Sequence, residues 1–144
     1  MKVWFDMDGT IADLYGVKDW LPMLINSDPT PYKVAGTLVN MRVLARKLNA
    51  VQRAGHTIGI ISWLSKGSSE SYDQTVTAAK LWWLQKHLPS VQWDEIKIVT
   101  YGKNKRQLCG EGILFDDEIK NRTEWGANAY EPSQILNILK ELVN

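Results

Sequence analysis

Residues Val3 to Gly16 read VWFDMDGTIADLYG, an apolar run that breaks into two aspartates one residue apart, then a glycine and a threonine. Val3, Trp4 and Phe5 suit a strand covered on both faces. Asp6 and Asp8 do not suit a core, because an unpaired buried carboxylate is expensive. The two demands are reconciled if a strand runs from about Lys2 to Asp6 and delivers both carboxylates to its carboxyl end, facing a cation.

Outward from this stretch, apolar runs of strand length alternate with segments of helical period, the pattern of an α/β fold with a mainly parallel sheet. A helix is predicted from about Ala12 to Ile25, then a proline-bearing loop, NSDPTPY (residues 26–32). Leu38, Met41, Leu44, Leu48 and Val51 recur at three- and four-residue spacing. They predict an amphipathic helix within residues 35–55, stopped by Gly55. HTIGIIS (56–62) reads as a second strand ending in the hydroxyl of Ser62, residues 63–75 as a loop, and 76–89 as a helix stopped by Pro89. EIKIVTY (95–101) reads as a third strand and residues 101–109 as a turn into a short helix. GILFDDE (112–118) is a fourth strand ending in Asp116 and Asp117, ANAYEP (127–132) a short fifth. SQILNILKELVN (133–144) closes the chain as a helix with Ser133 as candidate cap. No repeat, low-complexity tract or linker interrupts the series, so one domain over residues 1–144 is expected.

Composition narrows the function classes. The chain is 44% hydrophobic and 23% charged with a formal net charge of +1, and it has no Lys/Arg cluster of the nucleic-acid-binding kind. Cys109 is the only cysteine, which excludes an intramolecular disulfide and a cysteine-rich zinc site. A reducing, cytoplasmic setting is expected, with no membrane-spanning stretch and no signal-peptide pattern. Seven tryptophans read as packing residues, Trp82 and Trp83 on a helix and Trp4 in a strand. His56 and His87 read as surface residues.

Four of the strands end in side chains that carry chemistry: Asp6 with Asp8, Ser62, the Lys103/Lys105 pair beyond strand three, and Asp116 with Asp117. In an open parallel α/β sheet, ligands bind at the carboxyl ends of the strands, so these residues converge on one crevice. Carboxylates gathered at one spot repel unless a cation sits among them, and hard oxygen ligands suit Mg²⁺. A carboxylate can attack phosphorus and form an aspartyl-phosphate, and a second can protonate the leaving oxygen and then activate water. Ser62 can donate to a phosphoryl oxygen, and a lysine can offset the charge there. Gly9 permits a tight turn that aims amide N–H groups, with Thr10 beside it, at the same oxygens.

In order, DMDGT, IGIIS, a lysine before the fourth strand and ILFDDE resemble the four motifs of the haloacid dehalogenase-like phosphohydrolase superfamily, over about Val3 to Glu118. The resemblance implies a Rossmann-like three-layer sandwich. It implies Asp6 as nucleophile, Asp8 as general acid/base and Ser62 as a phosphoryl contact. Mg²⁺ would be held by the Asp6 carboxylate, the Asp8 main-chain carbonyl and Asp116, with Asp117 in support. Either Lys105 or Lys103 supplies the lysine, and Lys105, at a helix start, is favoured. Aspartate at the second position of the first motif implies phosphate-ester cleavage over dehalogenation.

Members of that superfamily choose substrates largely with inserted caps. Only a small insertion fits here, around residues 14–35, so a large cap domain is excluded and a minimal helical cap is expected. AAKLWWLQKHLP (78–89) resembles a pattern in the 5'(3')-deoxyribonucleotidase family, although ISWLSKG and the shorter insertion depart from it. The expected substrate is a small-molecule phosphate ester, with 5'-(deoxy)nucleotides as a candidate class. Trp63 would then be a nucleobase platform, with Tyr15 and Trp20 as further stacking candidates. The alternatives are a phosphatase acting on a nucleic-acid end or a phosphoprotein, and a phosphate-binding regulatory module without turnover.

Overall fold

Val3, Trp4 and Phe5 lie buried in the central strand, β1 (Lys2–Phe5), of a five-stranded sheet. The structure is a computed structural model that describes residues 1–144. On one side β1 pairs in parallel with β4 (Thr57–Trp63), which pairs with β5 (Glu95–Val99). On the other side it pairs with β6 (Ile113–Phe115), which pairs with β7 (Ala129–Tyr130). All these pairings are parallel, in the order β5-β4-β1-β6-β7. The chain moves outward from β1 through β4 to β5, then crosses back to β6. The strand order therefore reverses beside β1, the place where such folds leave a crevice.

Alternation along the strands separates two cores. Val3, Phe5, Ile58, Ile60 and Phe115 face α3 (Met41–Arg53), α7 (Ile135–Leu142) and the last turns of α4 (Glu70–His87). Trp4, Ile61 and Leu114 face the opposite way, against Cys109 of α5 (Lys105–Cys109) and Trp125 of α6 (Ile119–Trp125). Helices on both faces of a parallel sheet make a Rossmann-like three-layer α/β sandwich. Gly59 sits opposite Trp4 in the sheet, and a Cβ there would meet the indole at 2.5 Å, so the glycine makes room for the ring. No helix is long and apolar enough to cross a membrane.

Several expected elements are corrected. The helix predicted from Ala12 to Ile25 is instead a short strand, β2 (Ala12–Asp13), a 3₁₀ turn over Leu14–Gly16, and a helix, α1, confined to Trp20–Ile25. Asp13 accepts the Gly16 N–H and closes the turn, and Asp19 adopts a left-handed φ of 60° where a continuous helix would break. The loop at residues 26–32 runs into a further short helix, α2 (Thr30–Val34). The long helix starts at Met41 rather than near residue 35. Asn40 caps it by accepting the Val43 N–H, and Gly36–Thr37 forms a strand, β3, antiparallel to β2. Helix α4 begins at Glu70, inside the expected loop, because Ser69 caps it through the Tyr72 N–H. Ser133 caps nothing: it lies within a 3₁₀ turn, Pro132–Gln134, ahead of α7.

Candidate active site

The carboxyl ends of β1 and β6 bring Asp6, Asp116 and Asp117 together, with carboxylate oxygens within 4.8 Å of one another. Backbone pairing sets this placement, since the Asp6 N–H donates to the Phe115 carbonyl at 2.9 Å. Lys105 enters from the first residue of α5, whose start is fixed by Asn104 capping the Gln107 N–H. Its ammonium donates to Asp6 Oδ1 at 3.1 Å and to Asp116 Oδ2 at 2.7 Å, and the side chain is only 3% exposed. Lys103 is exposed and contributes its carbonyl to the Trp63 indole N–H instead, so the geometry brings in Lys105. Asp116 is held further by the Glu118 N–H and by Asn121 Nδ2, a side chain that the sequence reading did not single out.

Thr10 and Gly9 brace the cluster. The Thr10 hydroxyl lies 3.0 Å from Asp6 Oδ2 and 3.3 Å from Asp117 Oδ1, and it accepts the Asp117 N–H. Thr10 is fully buried and does not line the cavity described below. Gly9 has a φ of +82°, and a Cβ there would collide with the Asp117 carboxylate. Burial, and then the neighbouring Asp6 charge, push the carboxyls of Asp116 and Asp117 above the usual carboxylate range. Burial alone would lower Lys105, but Asp6 and Asp116 outweigh it and hold the ammonium above the ordinary lysine range. Three clustered hard-oxygen donors, two of them disfavoured as anions without more positive charge, fit a small divalent cation.

Asp8 is turned away from that cluster. Its Oδ2 accepts from Lys80 at 2.9 Å, and the same ammonium donates to Ser62 Oγ at 2.7 Å and to the Trp63 carbonyl at 2.7 Å. Burial raises the Asp8 carboxyl, Lys80 opposes the shift, and Asp6 adds to it. Ser62 is fully buried and does not line the cavity described below, so its hydroxyl is not placed where the expected phosphoryl contact would form. Lys80, the first lysine of the AAKLWWLQKHLP stretch, was assigned no role from the sequence, yet it occupies the apolar stripe of α4 formed by Val76, Ala79, Trp83 and Leu84, where a lysine is out of place.

Asp6, Asp8 and Lys105 open onto a cavity of about 610 Å³. Its walls come from the segment around residues 14–35, through Tyr15, Trp20 and Tyr32, and from the loop after β4. Trp63 lines it, with its ring 4.9 Å from Tyr101 and 5.2 Å from the Lys105 ammonium. Tyr15 and Trp20 pack edge-on at 4.9 Å. The histidines take no part, but neither is fully exposed: His56 Nε2 meets the Leu142 carbonyl, and His87 packs on Trp83.

No known protein-family profile matches the chain, and no curated protein sequence matches it. By structure it is similar to D,D-heptose 1,7-bisphosphate phosphatase from Burkholderia thailandensis, with a TM-score of 0.53 and 12% identity. The match covers 88% of this chain and 72% of that one. At that identity the likeness shows a shared α/β fold.

Proposed function

We propose that the protein is a Mg²⁺-dependent phosphomonoester hydrolase acting through an aspartyl-phosphate. The observation that supports this best is the division of the carboxylates at the cavity floor. Asp6 stands with Asp116, Asp117 and Lys105, whereas Asp8, two residues on, is held by a second lysine. Two acids in separate environments suit two roles. An Asp6 oxygen attacks phosphorus as the ester P–O bond breaks, and Asp8 gives its proton to the leaving oxygen. Asp8 then takes a proton from water, which attacks phosphorus and releases Asp6 with inorganic phosphate. Lys105 keeps Asp6 aimed. Asp6, Asp116 and Asp117, with the Asp8 main-chain carbonyl, would hold Mg²⁺, which offsets negative charge on the carboxylates and the phosphoryl oxygens.

A phosphatase as structural neighbour favours phosphate-ester chemistry, and a cavity of about 610 Å³ favours a small-molecule ester over a macromolecular end. The aromatic walls favour a 5'-nucleoside monophosphate whose base lies against Trp63. The deciding experiment compares the parent with Asp6→Asn on 4-nitrophenyl phosphate and a panel of phosphomonoesters, with Mg²⁺ and with EDTA. Turnover should need Mg²⁺ and Asp6, and acid-quenched enzyme should carry a phosphoryl group lost in the variant. Mg²⁺-dependent turnover by Asp6→Asn would overturn the mechanism. Phosphate binding without turnover of any ester would favour a regulatory module.

A further inference from the structure

Lys80 is an ammonium that the core does not need. Its side chain is 1% exposed, on an α4 stripe otherwise made of Val76, Ala79, Trp83 and Leu84. The Tyr32 ring lies 5.1 Å from the ammonium. A methionine or leucine there would fill the stripe without the desolvation cost of a buried charge, and buried ion pairs seldom add stability over apolar packing. The charge is therefore explained by what it touches.

A lysine has three N–H donors, and Lys80 has a partner for each: Asp8 Oδ2, Ser62 Oγ and the Trp63 carbonyl. None is left for a substrate. The partners instead lie at the carboxyl ends of two neighbouring strands, Asp8 just beyond β1 and Ser62 with Trp63 at the end of β4. Holding Asp8 by Oδ2 leaves Oδ1 to exchange a proton with the ester oxygen. Ser62 Oγ, fully buried and off the cavity wall, accepts from Lys80 and anchors the ammonium from the core side. Binding the Trp63 carbonyl fixes the chain where the cavity wall begins. We infer that Lys80 is a positioning residue for the Asp8 carboxylate, its ammonium anchored by Ser62 Oγ and the Trp63 carbonyl so that the proton donor is held in one orientation. This inference rests on the phosphatase reading of the site.

The test is a double-mutant cycle of Lys80→Met and Asp8→Asn, with Asp6→Asn as the check on the underlying reading. Each protein is assayed on 4-nitrophenyl phosphate, whose leaving group needs little proton help, and on glycerol phosphate, whose leaving group needs much. Lys80→Met should lower kcat on glycerol phosphate at least about tenfold more than on 4-nitrophenyl phosphate, with KM moving far less. In the Asp8→Asn background it should cost almost nothing further, since residues acting as a unit do not lose activity independently. Equal losses on both esters, or the full loss repeated on top of Asp8→Asn, would make Lys80 a packing residue only and overturn the inference. Lys80→Gln keeps one donor for Asp8 and should show a smaller loss in the same direction. It serves the same cycle if the methionine variant does not fold. Activity in Asp6→Asn would strike the mechanism itself, whereas an inactive Asp6→Asn beside a normal Lys80→Met would strike only the role of Lys80.

Discussion

The Lys105 ammonium donates to Asp116 Oδ2 at 2.7 Å in a pair with 3% and 0% of the two side chains exposed. The same ammonium reaches Asp6 Oδ1, so a single cation on α5 neutralises residues from two neighbouring strands. Asp6 and Lys105 both line the cavity, and the other Asp6 oxygen, Oδ2, accepts from the Thr10 hydroxyl.

Removing that cation should be costly. Lys105→Met leaves a buried cluster of carboxylates without its counter-charge, and breaking a buried pair from one side costs about 3–5 kcal/mol. Urea unfolding of the metal-free variant should show a loss of that order near neutral pH. The loss should shrink in acid, where Asp116 and Asp117 are protonated. A variant as stable as the parent at neutral pH would show that water already screens the cluster.

The same cluster sets a pH dependence in the metal-free protein. Burial and Asp6 raise the carboxyls of Asp116 and Asp117, so the folded chain holds protons that the unfolded chain has lost. Stability from these groups is therefore present below the ordinary carboxylate pKa of about 4 and declines as pH rises above it through the raised values. Mg²⁺ requires the ionised carboxylates, and its stabilisation should grow over the same range. Melting curves in EDTA and in excess Mg²⁺, taken from acid to mildly alkaline pH, should diverge as pH rises. A constant gap would remove these two aspartates from the ligand set.

In the sheet, Gly59→Ala should destabilise by about 1–3 kcal/mol through overpacking, because its Cβ would lie 2.5 Å from the Trp4 ring. Trimming the ring with Trp4→Leu in the same chain should make the double variant less costly than the sum of the single changes. Thermal melts of the four proteins measure the coupling. Strict additivity would mean that the ring and the glycine do not meet.

The strand ends were legible in the sequence because strands buried on both faces leave nothing ambiguous when they stop at a carboxylate or a hydroxyl. Val3–Phe5 into Asp6 and Ile113–Phe115 into Asp116 carried the parallel sheet with them. Segments governed by local polar contacts were harder. Ser69, Glu70 and Asp73 look like loop residues by composition but form the cap and first turn of α4. The Asp13 turn and the left-handed Asp19 cut a helical pattern that periodicity alone would continue. Lys80 was hidden for a different reason: a lysine on a helix ordinarily faces solvent. Its place in the AAKLWWLQKHLP stretch and its coincidence with the stripe of Val76, Ala79, Trp83 and Leu84 mark it, but its partners Asp8 and Ser62 lie on other elements.

Specificity should divide between the two aromatic residues beside Lys105. Trp63 is tied by its indole N–H to the Lys103 carbonyl, while Tyr101 leans against it at 56° and is 45% exposed. A base entering the cavity would meet a Trp63 ring already fixed in place, with little further ordering to do. Stacking on such a ring is worth about 1–3 kcal/mol, so Trp63→Ala should erase about a ten- to hundredfold preference in kcat/KM for nucleoside monophosphates over sugar phosphates. Turnover of 4-nitrophenyl phosphate should change much less. Tyr101→Ala should have a smaller effect, because it removes the ring's support and leaves the ring. Equal losses on nucleotide and sugar phosphates in Trp63→Ala would mean that Trp63 only packs the loop over Lys105, and the base would have to be recognised elsewhere in the cavity.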